Sequence, residues 1–270
     1  LRDCLLQNDF LTSFQLELIE TGRMESLVLG PLRIIDRLRT GTMETIYRVF
    51  DPRLGDEILL RQLSSSVDQN WKEEYQALFS QAALVQHTNV AGTFDVVTME
   101  GSPAVLQEWL VGLPGSEWQH IVTDASVALK LAVQLASGLS ALHQVGLIHG
   151  QTHAGRLLLT PAGVLKLCGA GEPRWLAGLS TTTEPTMAED LAAAIEILLP
   201  WCRVRKPSGA LTDFIKKLET RQISSAEQLQ TAAYAVLRSL PTDEKSWQEL
   251  LHFVKDRLEA GESSPLKKSA

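Results

Sequence analysis

The hydrophobic period changes partway along this chain, and that change limits the folds open to it. From Gly30 onward apolar residues alternate with polar ones, and "LRIIDRL", "TIYRVFD" and "DEILLRQL" read as strands. The "DPRLGD" between the last two holds Pro52 and Gly55, which favour a tight turn, so the strands form an antiparallel meander. "SSSVDQNWKEEYQALFSQAALVQH" reads as a helix of several turns that Ser or Asp can cap, and "GTFDVVTME" and "SPAVLQEWL" follow as two strands around the turn "EGSP". After "VGLPGSEW" the period is helical: residues 125–147, 188–200, 209–219, 224–239 and 244–259 read as helices. "GRLLLTPAGVLKLCG" is a hairpin that turns at "TPAG". Two lobes are expected, an α+β one of five strands and one helix over 30–110 and a larger, mainly helical one over 111–240. "QNDFLTSFQLELIETGR" carries Phe10, Phe14, Leu16 and Leu18 at helical spacing, so 1–29 reads as a helical leader, and 241–270 as a C-terminal helix and polar tail.

Composition narrows the function classes. With 270 residues, 44% of them hydrophobic, the chain can bury one large core or two modest ones. The net charge is −7 and the basic residues are scattered, which argues against nucleic acid as a partner. Cys4, Cys168 and Cys202 are far apart and odd in number, which suits a reducing compartment, with each thiol a small packed hydrophobe. Of the two most apolar tracts, "SVALKLAVQLASGLSALHQVGLI" carries Lys130, Gln134 and His143, and "DLAAAIEILLPW" is short, so neither is expected to span a membrane. No signal-peptide pattern opens the chain, and a cytoplasmic location without membrane contact by this segment is expected. A start at Leu1 and a polar end, "GESSPLKKSA", read as a segment of a longer protein.

The order of elements, with "LGPLRIIDRL", "YRVFDPRLGDEILLRQL", "HTNV", "GLSALHQVGLIHG" and "RLLLTPAGVLKL", resembles a eukaryotic-like bacterial Ser/Thr protein kinase. The leader "LTSFQLELIETGRMESLVLGP" is similar to the segment that precedes the kinase domain in many planctomycete sequences of this type. The resemblance runs over residues 8–240 and implies a two-lobed protein-kinase-like fold.

It also implies where phosphoryl transfer should occur, and there the residues depart from the pattern. The family's G-x-G-x-x-G falls on "RTGTME", where only Gly41 remains and Arg39 and Glu44 take the outer positions. A plain hairpin turn is the better account, since Glu44 would repel phosphate. The phosphate-holding lysine corresponds to Arg61, whose helix glutamate partner falls on Leu78, with Glu74 one turn earlier. Arg61 could equally pair with a surface carboxylate. The resemblance makes Gly41, Arg61 and Glu108 the residues of a vestigial nucleotide cleft. In "HGQTHAGRLLLTPAGVLKLCGAG" the family's His-Arg-Asp, Asn and Asp-Phe-Gly read His149-Gly150-Gln151, Arg156 and Gly169-Ala170-Gly171. Gln151 replaces the aspartate that takes the hydroxyl proton, and an amide cannot do so at neutral pH. Arg156 and Gly169 replace the magnesium ligands, so the neutralisation of phosphate charge is lost.

Other readings of these residues are weaker. His149 and His153 stand four apart as in H-E-x-x-H, but Gly150 holds the place of the general base and the segment reads as loop. The resemblance makes His149 a scaffold residue. From Gly171 to Asp190, where the family has an aspartate opening a buried helix, eighteen residues intervene, and "TEP" is the nearest remnant of Ala-Pro-Glu. Thr181, Thr182 and Thr183 are phosphorylatable in principle, though a polar loop is the plainer account.

The expectation is a pseudokinase: a catalytically inactive interaction or regulatory module for an unidentified protein partner, with weak or absent ATP and Mg²⁺ binding and no metal site. A degenerate but active kinase or ATP-binding protein is the alternative. Arg61 and Arg156 would be costly to bury unpaired, so Glu44 is expected to reach one of them, or a free anion to lie between them.

Overall fold

The structure, a computed structural model, describes residues 2–8, 10–179, 184–203, 208–241 and 244–261. Thr181, Thr182 and Thr183, and the tail from residue 262, lie outside the described residues. The described residues divide into two compact units, one within 2–83 and 92–109, the other within 84–91 and 110–261.

The first unit contains α1 (Arg2–Gln7), α2 (Ser13–Glu20), β1 (Val28–Leu29), β2 (Leu32–Thr40), β3 (Glu44–Asp51), β4 (Asp56–Leu63), α3 (Gln69–Ala82), β5 (Thr93–Met99) and β6 (Ser102–Glu108). The strands form one antiparallel sheet in the order β1-β2-β3-β4-β6-β5. Five strands were expected; the sixth, β1, comes from the end of the leader. The sheet is apolar on both faces and therefore needs two covers. One face gathers Leu32, Ile34, Val49, Ile58, Leu60, Ala104 and Leu106, with Leu29, and Phe14 of α2 packs against it. The other carries Ile46 and Leu63 and receives α3, whose Tyr75 and Phe79 are fully buried. Asp68 starts α3 by accepting a bond from the Asn70 backbone N–H at 2.8 Å.

The second unit contains β7 (Leu113–Pro114), α4 (Gly115–Trp118), α5 (Ala125–Gln144), β8 (Leu157–Leu159), β9 (Leu165–Leu167), α6 (Met187–Cys202), α7 (Gly209–Glu219), α8 (Ala226–Ser239) and α9 (Glu244–Glu259). The hairpin read from the sequence is β8 and β9, and β7 joins it as a third strand. Asn89 ties residues 84–91 to this unit: its amide donates to Gln134 Oε1 and to the Leu165 carbonyl, both at 2.9 Å. α9 docks through buried Leu250, Leu251 and Val254, while Lys130 of α5 donates to Glu244 at 3.0 Å and stands over the Trp247 ring.

Two expectations are corrected here. By length and composition α5 does meet the test for a membrane-crossing helix, because Lys130, Gln134 and His143 do not lower its hydropathy enough. Two-thirds of its apolar window is buried inside the protein, the position of a core helix. The cysteines are not uniformly packed: Cys202 is buried and its thiol is pushed up to about 12 by that burial, but Cys168 is half-buried and Cys4 is exposed.

Candidate functional site

In the first unit, the residues of interest lie on β3, β4 and the turn before β3. That turn closes as Gly41 N–H donates to the Glu44 carbonyl at 2.8 Å, while Ser64 N–H reaches the Met43 carbonyl at 2.7 Å. Gly41 does not have a positive φ; a Cβ there would stand 3.3 Å from the Glu44 carbonyl oxygen, so its smallness serves a close turn. Glu44 pairs across the ladder with Leu63, and Ile46 with Arg61. With a side-chain period of two, Glu44 and Arg61 are therefore diagonal neighbours on the face covered by α3. They meet there as a two-pronged pair, with Arg61 Nε to Glu44 Oε2 at 3.0 Å and Nη2 to Oε1 at 2.7 Å. Both are buried, at 4% and 6% exposure, and the guanidinium also lies over the Phe79 ring at 5.4 Å.

Arg61 thus takes Glu44 of β3 as its two-pronged partner. The physical reason is register: Glu44 lies on the same face, two residues along the ladder from the position opposite Arg61. Glu108 closes the end of β6, where its Oε2 accepts from Gly92 N–H at 3.0 Å and its own N–H donates to the Gly92 carbonyl at 2.8 Å.

In the second unit, Gln151, Arg156 and Gly169 come together, and Glu172 joins them. Arg156 Nη2 donates to Gln151 Oε1 at 2.7 Å, and Nη1 to Glu172 Oε2 at 3.2 Å, with a second short contact between Nη2 and Glu172 Oε1. Gln151 Nε2 closes the ring on the Glu172 carbonyl at 3.2 Å. Gly169 has φ +92°, and a Cβ on it would stand 2.9 Å from Arg156 Nη1. The loss of a side chain at residue 169 therefore makes the space into which the guanidinium lies. Each arginine has a carboxylate within its own unit.

Beneath these residues lies a buried scaffold. Asp190, 1% exposed, accepts from His149 N–H and Gly150 N–H, both at 2.8 Å, and from Thr152 Oγ1 at 3.2 Å, and contacts His143 Nε2 at 3.0 Å. Burial pushes its carboxyl up, but the bonds from His143, His149 and Gly150 outweigh this and hold the pKa below 3.8. His149 is held below its ordinary 6.5 by burial. It is neutral, with Nε2–H donating to the Cys168 carbonyl at 3.0 Å and Nδ1 accepting from Gln151 N–H at 3.3 Å. His153 instead caps the short turn at Ala154–Arg156. Among the described residues no three His, Cys, Asp or Glu side chains gather as a metal cluster.

Glu172 is the residue that sequence reading missed. The signal was a carboxylate directly after "GAG", close to an arginine that needed a counter-ion. Chemically each unit holds its own cation–anion pair, Arg61 with Glu44 in the first and Arg156 with Glu172 in the second, where the Gln151 amide joins it.

No family model matches the chain. Among curated proteins it is similar to the serine/threonine-protein kinase PksC of Streptomyces coelicolor, 25% identical over 154 residues, which span 53% of this chain and 28% of that protein. It is also similar to PknA of Mycobacterium tuberculosis, 28% identical over 151 residues, or 53% of this chain and 35% of that one. The chain thus spans about a third of the length of these relatives. Among solved structures, the Mycobacterium tuberculosis PknI kinase domain matches with a TM-score of 0.57 and 16% identity, over 77% of this chain and 97% of that domain. The fold is the two-lobed α+β protein-kinase-like fold, and the sequence homologues are bacterial Ser/Thr protein kinases.

Proposed function

We propose that this kinase-like domain is a pseudokinase, a regulatory or interaction module that has kept the fold and given up phosphoryl transfer. The observation that carries the reading is the self-satisfied state of the degenerate positions. Arg61, which stands where the fold's phosphate-binding lysine is expected, donates to buried Glu44. Arg156, which stands where a metal ligand is expected, forms a ring with Gln151 and Glu172 in the space left by Gly169, which stands where the other is expected. Phosphoryl transfer depends on positioning and on neutralising developing charge, and it uses a base for the attacking hydroxyl. Gln151 cannot be that base, and Arg156 and Gly169 offer no side-chain oxygen to a divalent cation. Magnesium-ATP binding is accordingly weak or absent. The acidic net charge of −7 favours a protein partner over nucleic acid.

The test combines binding and turnover on the whole chain. Thermal unfolding with millimolar Mg-ATP is expected to match that without it. A nucleotide at 100 times its dissociation constant would add about 2.7 kcal/mol, an upward shift of several degrees that this reading does not allow. Radiolabelled autophosphorylation with Mg²⁺ or Mn²⁺ is expected to give no incorporation. Incorporation above that of a heat-denatured control would establish the active-kinase alternative instead.

A further inference from the structure

The leader has no part in the site, yet it grips the sheet at a place where the strand is irregular. In β2, Ile34 pairs with Val49 and Asp36 with Arg48, so Ile35 is an extra residue without a cross-strand partner. This bulge decides the faces of Asp36 and Arg37, before a second irregularity between Arg37 and Arg39 restores the original alternation. Ile34 lies on the face with Val49 and Leu60, and strict alternation would put Asp36 there too, in the apolar cluster. With the bulge, Asp36 falls opposite Arg48 on the other face, and Arg37 falls opposite Tyr47 on the apolar one.

The carbonyls at the bulge and the side chain of Arg37 are met by residues of the leader. Thr12 Oγ1 donates to the Ile35 carbonyl at 2.6 Å, and Gln15 Nε2 to the Ile34 carbonyl at 3.0 Å. Arg37, turned to the apolar face, lies over the Phe14 ring at 4.9 Å. The same two polar residues form the capping box of α2: Thr12 Oγ1 accepts from Gln15 N–H at 3.2 Å, and Gln15 Oε1 accepts from Thr12 N–H at 3.1 Å. One amide therefore caps the helix with its oxygen and the bulge with its nitrogen.

We propose that Thr12, Phe14 and Gln15 form a register clamp on β2, so that the leader is a conformational handle on the β2–β3 hairpin. Forming α2 and holding the bulge are one event, because the groups that start the helix also take the two strand carbonyls. Anything that draws the leader away frees both carbonyls and uncovers the apolar face around Ile34 and Val49. The inference does not rest on the proposed loss of catalysis.

Hydrogen exchange on the full chain tests it, because Gln15→Glu separates the two halves of the clamp. A carboxylate still accepts from Thr12 N–H, so α2 keeps its cap, but it has no hydrogen to give the Ile34 carbonyl. Amides of residues 36–48 are expected to exchange faster by up to about tenfold in Gln15→Glu, with α2 amides unchanged. Thr12→Val, which loses both roles, is expected to raise exchange in α2 and in the hairpin together, while Thr12→Ser restores both. Wild-type exchange of the hairpin in both Gln15→Glu and Thr12→Val would overturn the clamp. So would recovery of neither segment in Thr12→Ser.

Discussion

At Glu44 and Arg61 a single charge pair is nearly removed from water, and its value lies in what happens when one member is lost. A buried pair is not a strong source of stability over an apolar isostere, but an orphaned buried cation is costly. Glu44→Ala is therefore expected to lower the unfolding free energy by about 3–5 kcal/mol in urea titrations. A change within about 0.5 kcal/mol would mean that the pair does not hold β3 against β4. Gly169 makes a related prediction in the other unit. Its φ of +92° disfavours any side chain, and a Cβ would press on Arg156 Nη1. Gly169→Ala is expected to cost about 1–3 kcal/mol, part from the backbone and part from the displaced guanidinium. In an Arg156→Ala background only the backbone part remains, so a double-mutant cycle should show a coupling of at least about 0.5 kcal/mol. Strict additivity would separate the two positions.

Among the elements, α6 matters for the loop it anchors as well as for its packing. Thr186 caps it with a capping box, and Asp190, one turn in, takes the backbone of His149 and Gly150. Two groups of this anchor give the fold a pH dependence of one sign. Asp190 has a folded pKa below 3.8, so its contribution is complete above that value and is lost as pH falls through the folded value. His149 has a folded pKa below 6.5, so the unfolded chain binds its proton first and stability declines as pH falls below 6.5 towards the folded value. Melting temperatures are expected to fall from about pH 7 to about pH 5 and again below about pH 4. A flat profile between pH 7 and 5 would mean that His149 is not held neutral.

For the molecule as a whole, the first unit is arranged around a sheet and its covers and the second around the core helix α5, and each neutralises its own arginine. The sequence determined the order and type of the elements, because the change from a two-residue to a 3.6-residue period is a local property of side-chain spacing. It also determined the chemistry that Gln151, Arg156 and Gly169 lack, since that follows from functional groups alone. Short elements such as β1 and β7 were not legible, because two residues carry no period and exist only by pairing with longer neighbours. The leader was read as a helix, but its role as a cover follows from the bulge at Ile35, which is a matter of cross-strand register. Glu44 was legible as a candidate partner for either arginine. Which one it takes was decided by the β3–β4 register, which sets Glu44 diagonal to Arg61. Glu172 was out of reach for the same reason: a counter-ion is found by distance in space, and the sixteen residues separating it from Arg156 say nothing of that distance until the chain has folded.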